Sequence, residues 1–157
     1  MKKMLVFLFM ILSTPAITNA QEQANLSIGT ILTGGAELPM FGVTVESPLR
    51  DKSRIRLVWA NDRFFRISDG YGLSYLHYRN ASQIGRYWYI GYYRLNNYYW
   101  SFYSGSLPQT VVHGGLGFTK KLGKNLCVDG QLGVGHVETP VNKDDKLLLG
   151  FQIKYLM

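Results

Sequence analysis

The chain of 157 residues has one cysteine and five prolines, and beyond residue 20 it lacks any long apolar run. The lone cysteine, Cys127, cannot form an internal disulfide, so we expect it to be a small packed residue. The missing apolar run excludes a transmembrane helix after residue 20, because a helix needs about 20 apolar residues to cross a bilayer. Glycine is abundant at 17 residues, and the prevailing pattern has the two-residue period of β-strands.

The N-terminus has the pattern of a secretory signal peptide. Two lysines precede the apolar run 4–12, and the small residues 18–20 predict cleavage before residue 21. We therefore expect a signal peptide at 1–20 and one exported domain at 21–157. The full sequence has a formal net charge of +7, and loss of Lys2 and Lys3 with the signal peptide leaves +5 on the domain. We expect this charge to meet anionic lipopolysaccharide or phospholipid head groups, with no nucleic-acid partner.

Alternation of apolar residues with small or polar ones divides the domain into eight predicted strands. They cover residues 25–34, 38–48, 53–62, 70–79, 86–104, 109–121, 124–137 and 146–156. With the short turn sequences between them, they predict an all-β fold, an antiparallel up-and-down transmembrane β-barrel. A turn at Asn96-Asn97 would split 86–104 and give nine strands; we prefer one long strand that extends beyond the membrane.

The last strand shows the alternation most clearly. One face is wholly apolar and the other is small and mostly polar, which suits a strand between lipid and a packed interior. The apolar face consists of Leu147, Leu149, Phe151, Ile153 and Tyr155. The strand resembles the C-terminal signal strand of bacterial outer-membrane β-barrels, and this implies recognition by the barrel assembly machinery. The whole domain resembles small eight-stranded outer-membrane barrels of the OmpX or OmpA transmembrane type, which implies location in the outer membrane of a Gram-negative cell envelope.

The same alternation predicts a charged interior. The inward side chains are Glu46, Arg54, Arg56, Asp129, Gln131, Gln152 and Lys154. An eight-stranded barrel is just wide enough for its side chains to fill it, and buried charges need partners because an isolated one is very costly. We therefore expect a polar network that plugs the barrel, with a narrow proton or ion path as the alternative.

Aromatic and basic residues suggest how the chain meets its surroundings. Because amphipathic rings settle at membrane–water interfaces, six aromatics of 86–104 are assigned to an aromatic girdle. They are Tyr87, Trp88, Tyr89, Tyr92, Tyr93 and Trp100. A loop cluster, Arg63, Phe64, Phe65 and Arg66, is predicted either to bind lipopolysaccharide phosphates through arginine or to pack against the barrel rim.

One short motif raises the question of catalysis. The sequence 77–81, His-Tyr-Arg-Asn-Ala, resembles the His-x-Ser-Asn motif of outer-membrane lipid A deacylases, with His77 and Asn80 in place. Arg79 stands where that family has its nucleophilic serine, and acyl transfer needs an activated nucleophile. We therefore interpret the chain as a non-enzymatic barrel, without cofactor or metal, whose outer loops serve adhesion to a host or surface ligand, surface protection or envelope stability. The alternatives are a deacylase-like acyl-chain hydrolase and a soluble secreted ligand-binding β-barrel.

Overall fold

Eight antiparallel strands close into a single barrel in a computed structural model that describes residues 26–34, 40–61, 68–80, 84–98 and 107–157. The strands are β1 Ser27–Gly34, β2 Met40–Arg50, β3 Ser53–Asn61, β4 Ser68–Tyr78, β5 Gly85–Tyr98, β6 Leu107–Lys121, β7 Leu126–Glu138 and β8 Lys143–Leu156. Each strand pairs with the next along the chain, and β8 pairs with β1. This confirms the predicted up-and-down barrel of eight strands. The predicted signal peptide at 1–20 lies outside the described residues.

β5 is one long strand that continues through the asparagine pair where the sequence offered a turn. It pairs with β4 and β6, and the register shifts at Asp69/Gly70 and at Leu95/Tyr98. Extra residues in one strand of a pair form a β-bulge, which bends the strand without reversing it. The nine-strand alternative is therefore wrong. The part of the predicted strand 86–104 beyond Tyr98 lies outside the described residues.

The connections define the two ends of the barrel. Residues 51–52, 79–84 and 122–125 connect strands at the end where β1 begins and β8 finishes, which we call the turn end. Residues 35–39, 62–67, 99–106 and 139–142 connect strands at the opposite end, which we call the loop end. At the turn end, backbone hydrogen bonds tie the pieces together: the Tyr78 amide donates to the Lys52 carbonyl at 2.7 Å and the Leu156 amide to the Asn125 carbonyl at 2.8 Å.

The outer face of the barrel is an exposed apolar belt. On β8 the five apolar residues from Leu147 to Tyr155 are each between 45 and 60 % exposed, whereas Gln152 and Lys154 on the other face are buried. From Leu147 to Tyr155 the belt is about 26 Å long along the strand, at about 3.3 Å per residue. At the strand tilt of about 40° found in membrane barrels this is a height of about 20 Å, most of their roughly 25 Å apolar band. Among the described residues, no helix is long and apolar enough to cross a membrane.

Glycines on the inner face make room for large side chains. A Cβ atom added to Gly72 would collide with the ring of Tyr93, and one added to Gly117 would collide with the ring of Tyr87. In both cases the two residues are direct partners on neighbouring strands, Gly72 with Tyr93 and Gly117 with Tyr87. The narrow bore therefore accepts whole aromatic rings because the opposing position carries no side chain.

This packing predicts that Gly72→Ala destabilises the barrel by about 1–3 kcal/mol, the usual cost of overpacking a filled core. The matched control is Gly130→Ala, because a Cβ on Gly130 would meet nothing within 4 Å. Urea unfolding of the refolded barrel in detergent, followed by tryptophan fluorescence, measures both variants.

The second variant in the same test is Gly72→Ala combined with Tyr93→Leu, which removes the ring that the new methyl group strikes. We expect the pair to recover part of the lost stability. Equal stability of Gly72→Ala and Gly130→Ala would show that the ring of Tyr93 does not fill the space over Gly72.

Candidate functional site in the barrel interior

Four buried charges lie together in the interior. The Arg56 guanidinium contacts Glu46 Oε1 at 2.6 Å through Nη2 and at 2.7 Å through Nε, and the two residues are direct partners across β2 and β3. Lys154 Nζ lies 3.2 Å from Glu46 Oε2 and 3.2 Å from Asp129 Oδ2. Arg56 Nη2 lies 3.4 Å from the same Asp129 oxygen. Two carboxylates thus face two cations, and no more than 1 % of any of the four side chains is exposed.

Asp129 is the centre of this network, because neutral donors also converge on it. The Tyr87 hydroxyl donates to Oδ1 at 2.5 Å and the Thr119 hydroxyl donates to Oδ2 at 2.8 Å. The Gln131 amide donates to Oδ1 at 3.3 Å. A carboxylate with two or more donors on each oxygen satisfies the requirement that a buried charge be both paired and hydrogen-bonded.

Two of these contacts cross the bore. Arg56 is on β3 and Asp129 on β7, four strands apart in a ring of eight. Lys154 on β8 donates to the hydroxyl of Tyr78 on β4 at 3.1 Å, again between strands four apart. Side chains from opposite walls therefore touch at the centre, and the cations also lie beside rings: Arg56 over Tyr87 at 6.0 Å and Lys154 over Tyr78 at 5.7 Å.

All seven side chains that the sequence assigned to the interior are buried there. Glu46, Arg56, Asp129, Gln131 and Lys154 belong to the network above. The other two lie beside it: Arg54 is 2 % exposed with its guanidinium 5.9 Å from the Tyr78 ring, and Gln152 donates to Thr44. The sequence analysis did not name Tyr78 and Thr119 as interior residues and assigned Tyr87 to the aromatic girdle, although the two-residue spacing within the strands places all three on the inner face.

Nearer the loop end, the interior is mainly apolar, with Gln109 as a buried polar side chain at the level of Leu95. The side chains that form this apolar layer are Ile31, Val58, Ala60, Tyr93, Leu95, Val111, Val137 and Leu148. They come from six strands and are all buried. Between the two layers, His113 stacks on Tyr93 with ring centroids 4.1 Å apart. The sequence analysis expected a charged interior, whereas the structure divides it into a charged layer near the turn end and an apolar layer near the loop end.

The predicted aromatic girdle is wrong for Tyr87, Tyr89 and Tyr93, which are buried inside the barrel at 3–5 % exposure. Because side chains alternate along a strand, Trp88 and Tyr92 are the described members of the predicted girdle that face outward, at 46 and 37 % exposure. Trp100 lies outside the described residues. Outward rings on other strands include Trp59 of β3, Tyr71 of β4 and Tyr155 of β8.

His77 lies on the outer surface at the turn end and faces a serine from another strand. Its Nδ1 is 3.1 Å from the Ser53 hydroxyl, which is itself 2.7 Å from the Tyr75 hydroxyl. Arg79 and Asn80 are exposed in the connection after β4. The motif at 77–81 therefore contributes His77 alone to this cluster. Ser53 was missed by the sequence analysis, since only the β3–β4 register brings it beside His77.

Two further predictions concern the loops and metals. Arg63, Phe64, Phe65 and Arg66 lie outside the described residues. Within the described ranges there is no group of three or more histidine, cysteine or acidic residues that could hold a metal ion. The paired His136 and Asp145, 2.7 Å apart, are exposed near the loop end and have no third ligand in that part of the chain.

Comparison with known proteins supports the architecture. No known family matches the chain, and no curated protein matches it by sequence. The crystal structure of the N-terminal β-barrel domain of Pseudomonas aeruginosa OprF matches it with a TM-score of 0.56 at 15 % identity, over 86 % of this chain and 100 % of that domain. At a sequence identity this low, the structural match shows a shared fold and nothing about function. The chain therefore has the same barrel fold as the N-terminal domain of OprF.

Proposed function

We propose that the chain is a small outer-membrane β-barrel with a closed bore, which anchors the segments at its loop end on the cell surface. The fold shared with the OprF barrel domain suggests the outer membrane. The exposed apolar belt and the signal peptide predicted at 1–20 are consistent with that location. In this orientation the turn end faces the periplasm and the loop end faces outward, because such barrels have shorter periplasmic turns.

The observation that carries the closed bore is the pair of contacts across its centre. Arg56 reaches Asp129 and Lys154 reaches Tyr78 from opposite walls. A pore would need these charged pairs to separate, and buried pairs that lose a partner are strongly destabilised. The apolar layer on the loop-end side of them is a second barrier, because its apolar side chains cannot replace the water around an ion. A structural anchor therefore fits this interior better than a channel.

Conductance and fractionation test the proposal together. We expect the protein in the outer-membrane fraction, with a gel mobility that changes on heating, and no stepwise conductance when it is inserted into planar bilayers. Steady single-channel conductance in an inserted, heat-modifiable sample would exclude the closed anchor. Recovery in the soluble fraction without a mobility shift would favour the secreted ligand-binding barrel.

For the loop end we propose contact with lipopolysaccharide through the basic and aromatic cluster at 63–66. Arginine binds phosphate bidentately, and phenylalanine provides apolar surface for acyl chains or sugar faces. We expect the variant Arg63→Ser/Arg66→Ser to fold normally but to lose lipopolysaccharide in pull-down, while Lys143→Ser, at the same end on β8, retains it. Equal retention in both variants would remove the cluster from the proposal.

A lipid A deacylase activity is not part of the proposed function. In the proposed orientation His77 lies at the periplasmic end, in the leaflet opposite lipopolysaccharide. Comparing lipid A by mass spectrometry in cells with and without the gene tests this directly. We expect identical lipid A in the two strains. Loss of an acyl chain only in cells that carry the gene would support the acyl-chain hydrolase instead.

A further inference from the structure

A groove opens on the outer surface at the turn end, beside the end of the apolar belt. It has a volume of about 540 Å³, and its walls include Leu49, Arg50, Asp51, Lys52 and His77. Sites for small ligands typically measure about 300–1,000 Å³, so the groove has room for a polar head group. It is separate from the network in the bore, because Ser53, Tyr75 and His77 occupy the opposite face of the sheet from Arg54 and Leu76.

The groove exists because β2 is irregular where it ends. The register with β3 shifts between Pro48 and Arg50, and proline cannot donate a hydrogen bond to the neighbouring strand. The extra residue, Leu49, is exposed, while the turn that follows is fixed by the hydrogen bond from the Tyr78 amide to the Lys52 carbonyl. The turn therefore stands beside the end of β4 as a second wall, with space between.

The wall of the groove opposite the turn contains Tyr75 and His77, with the polar side chain of Ser53 at its base. Ser53 is 5 % exposed and its hydroxyl contacts both Tyr75 and His77. Behind these two rings lies Trp88, with ring centroids 5.4 Å from Tyr75 and 5.5 Å from His77. Packed rings of this kind lose little conformational freedom when a ligand binds, so they favour a preformed site.

The turn presents a cation, an anion and a cation in succession. Arg50, Asp51 and Lys52 are all exposed. A phosphate diester matches two basic side chains, with arginine able to bind two of its oxygens. The carboxylate between them would repel a purely anionic group but would attract an ammonium on the same ligand. The charge pattern therefore favours a ligand that carries both phosphate and amine.

We propose that this groove binds the head group of an amine-bearing glycerophospholipid of the phosphoethanolamine type. The phosphate lies against Arg50 and Lys52, and the ammonium lies against Asp51. The acyl chains follow the outer face of β3, where Ile55 and Leu57 are partly exposed between the groove and the loop end. The site rests on the proposed membrane location, which brings the turn end to the level of lipid head groups.

Native mass spectrometry of the full-length mature barrel, released from vesicles of equal phosphatidylethanolamine and phosphatidylglycerol, tests the site. We expect the wild type to retain the ethanolamine lipid preferentially. The variant Arg50→Gln/Lys52→Gln should lower this retention about tenfold. The control Lys120→Gln/Lys121→Gln removes the same charge from exposed residues at the end of β6 and should retain the lipid. Asp51→Asn should lose the preference for ethanolamine over glycerol.

Heat-modifiable mobility of the same samples separates failure of the site from failure of the membrane location. A folded, inserted barrel whose lipid retention is the same in both double variants would overturn the groove alone. A sample with no mobility shift that stays soluble would refute the proposed function first.

Discussion

Replacing Asp129 with alanine is expected to lower the free energy of unfolding by about 3–5 kcal/mol, the usual cost of leaving a buried ion pair without one partner. Asp129 accepts hydrogen bonds from Tyr87 and Thr119 and contacts both Arg56 and Lys154. Without it, two buried cations share the single carboxylate of Glu46. The neutral donors would also lose their acceptor at a place that water does not reach.

The control for this variant is Asp145→Ala, which removes an aspartate from an exposed pair. The Asp145 carboxylate lies 2.7 Å from His136, but the two side chains are 73 and 52 % exposed. Exposed pairs contribute about 0–1 kcal/mol, so the control should unfold within about 1 kcal/mol of the wild type. Both variants are compared by urea unfolding of the refolded barrel, followed by gel mobility and by tryptophan fluorescence.

A second comparison separates loss of the Asp129 charge from loss of its packing as the cause of the destabilisation. Asp129→Asn keeps the shape and removes the charge, and we expect it to be destabilising. Adding Lys154→Met removes one cation and should recover stability relative to Asp129→Asn alone, because Arg56 and Glu46 then remain as a matched pair. Additive losses in the double variant would contradict the network, since residues in contact are expected to couple.

The alternation in the sequence predicts which face of each strand is buried, and this is why Glu46, Asp129 and Lys154 could be named as interior residues. It does not predict what each residue touches. Whether Arg56 meets Asp129 depends on strand register and on closure of the barrel, which fix height and neighbours together. The contacts across the bore could therefore not be derived from the sequence.

For the aromatic residues of β5, the two-residue strand period predicts the buried face, but the girdle prediction did not apply it. The tyrosines of β5 were assigned as one cluster according to the interfacial preference of their rings. The strand period separates them, so that Tyr87, Tyr89 and Tyr93 enter the bore and Trp88 and Tyr92 face outward. Their burial needs glycine at facing positions on neighbouring strands, such as Gly72 and Gly117. Pairing of large residues with glycine is visible only once the register is known.

The charged layer and the apolar layer of the interior also differ in how predictable they were. Polar residues between apolar ones mark the charged layer, as at Gln152 and Lys154. Inner and outer residues are both apolar around Leu148, so the alternation disappears there although the strand continues. A strand with two apolar faces is typical of burial on both sides, and here one side is the interior and the other is the exposed belt.

The outer belt leads to the second large effect: Leu132→Arg is expected to destabilise the membrane-inserted barrel by about 2–4 kcal/mol, the cost of a basic residue at the bilayer midplane on a lipid-facing strand. Leu132 is at the middle of β7 and is 54 % exposed. Its partners on the two neighbouring strands, Leu116 and Leu149, are also exposed leucines. No protein group covers this row of described residues, so lipid is the expected neighbour.

The control on the same face of the same strand is His136→Arg, at the loop end of β7. His136 already lies beside a carboxylate, that of Asp145, and a basic residue near the membrane interface costs about 0–1 kcal/mol. Unfolding in lipid vesicles measures the two variants. Because arginine at an exposed position in water is nearly neutral for stability, equal stability of both variants would contradict the lipid-facing belt and favour the soluble barrel. A large loss for Leu132→Arg alone would place the middle of β7 within the bilayer, with the loop end of the same strand at its surface.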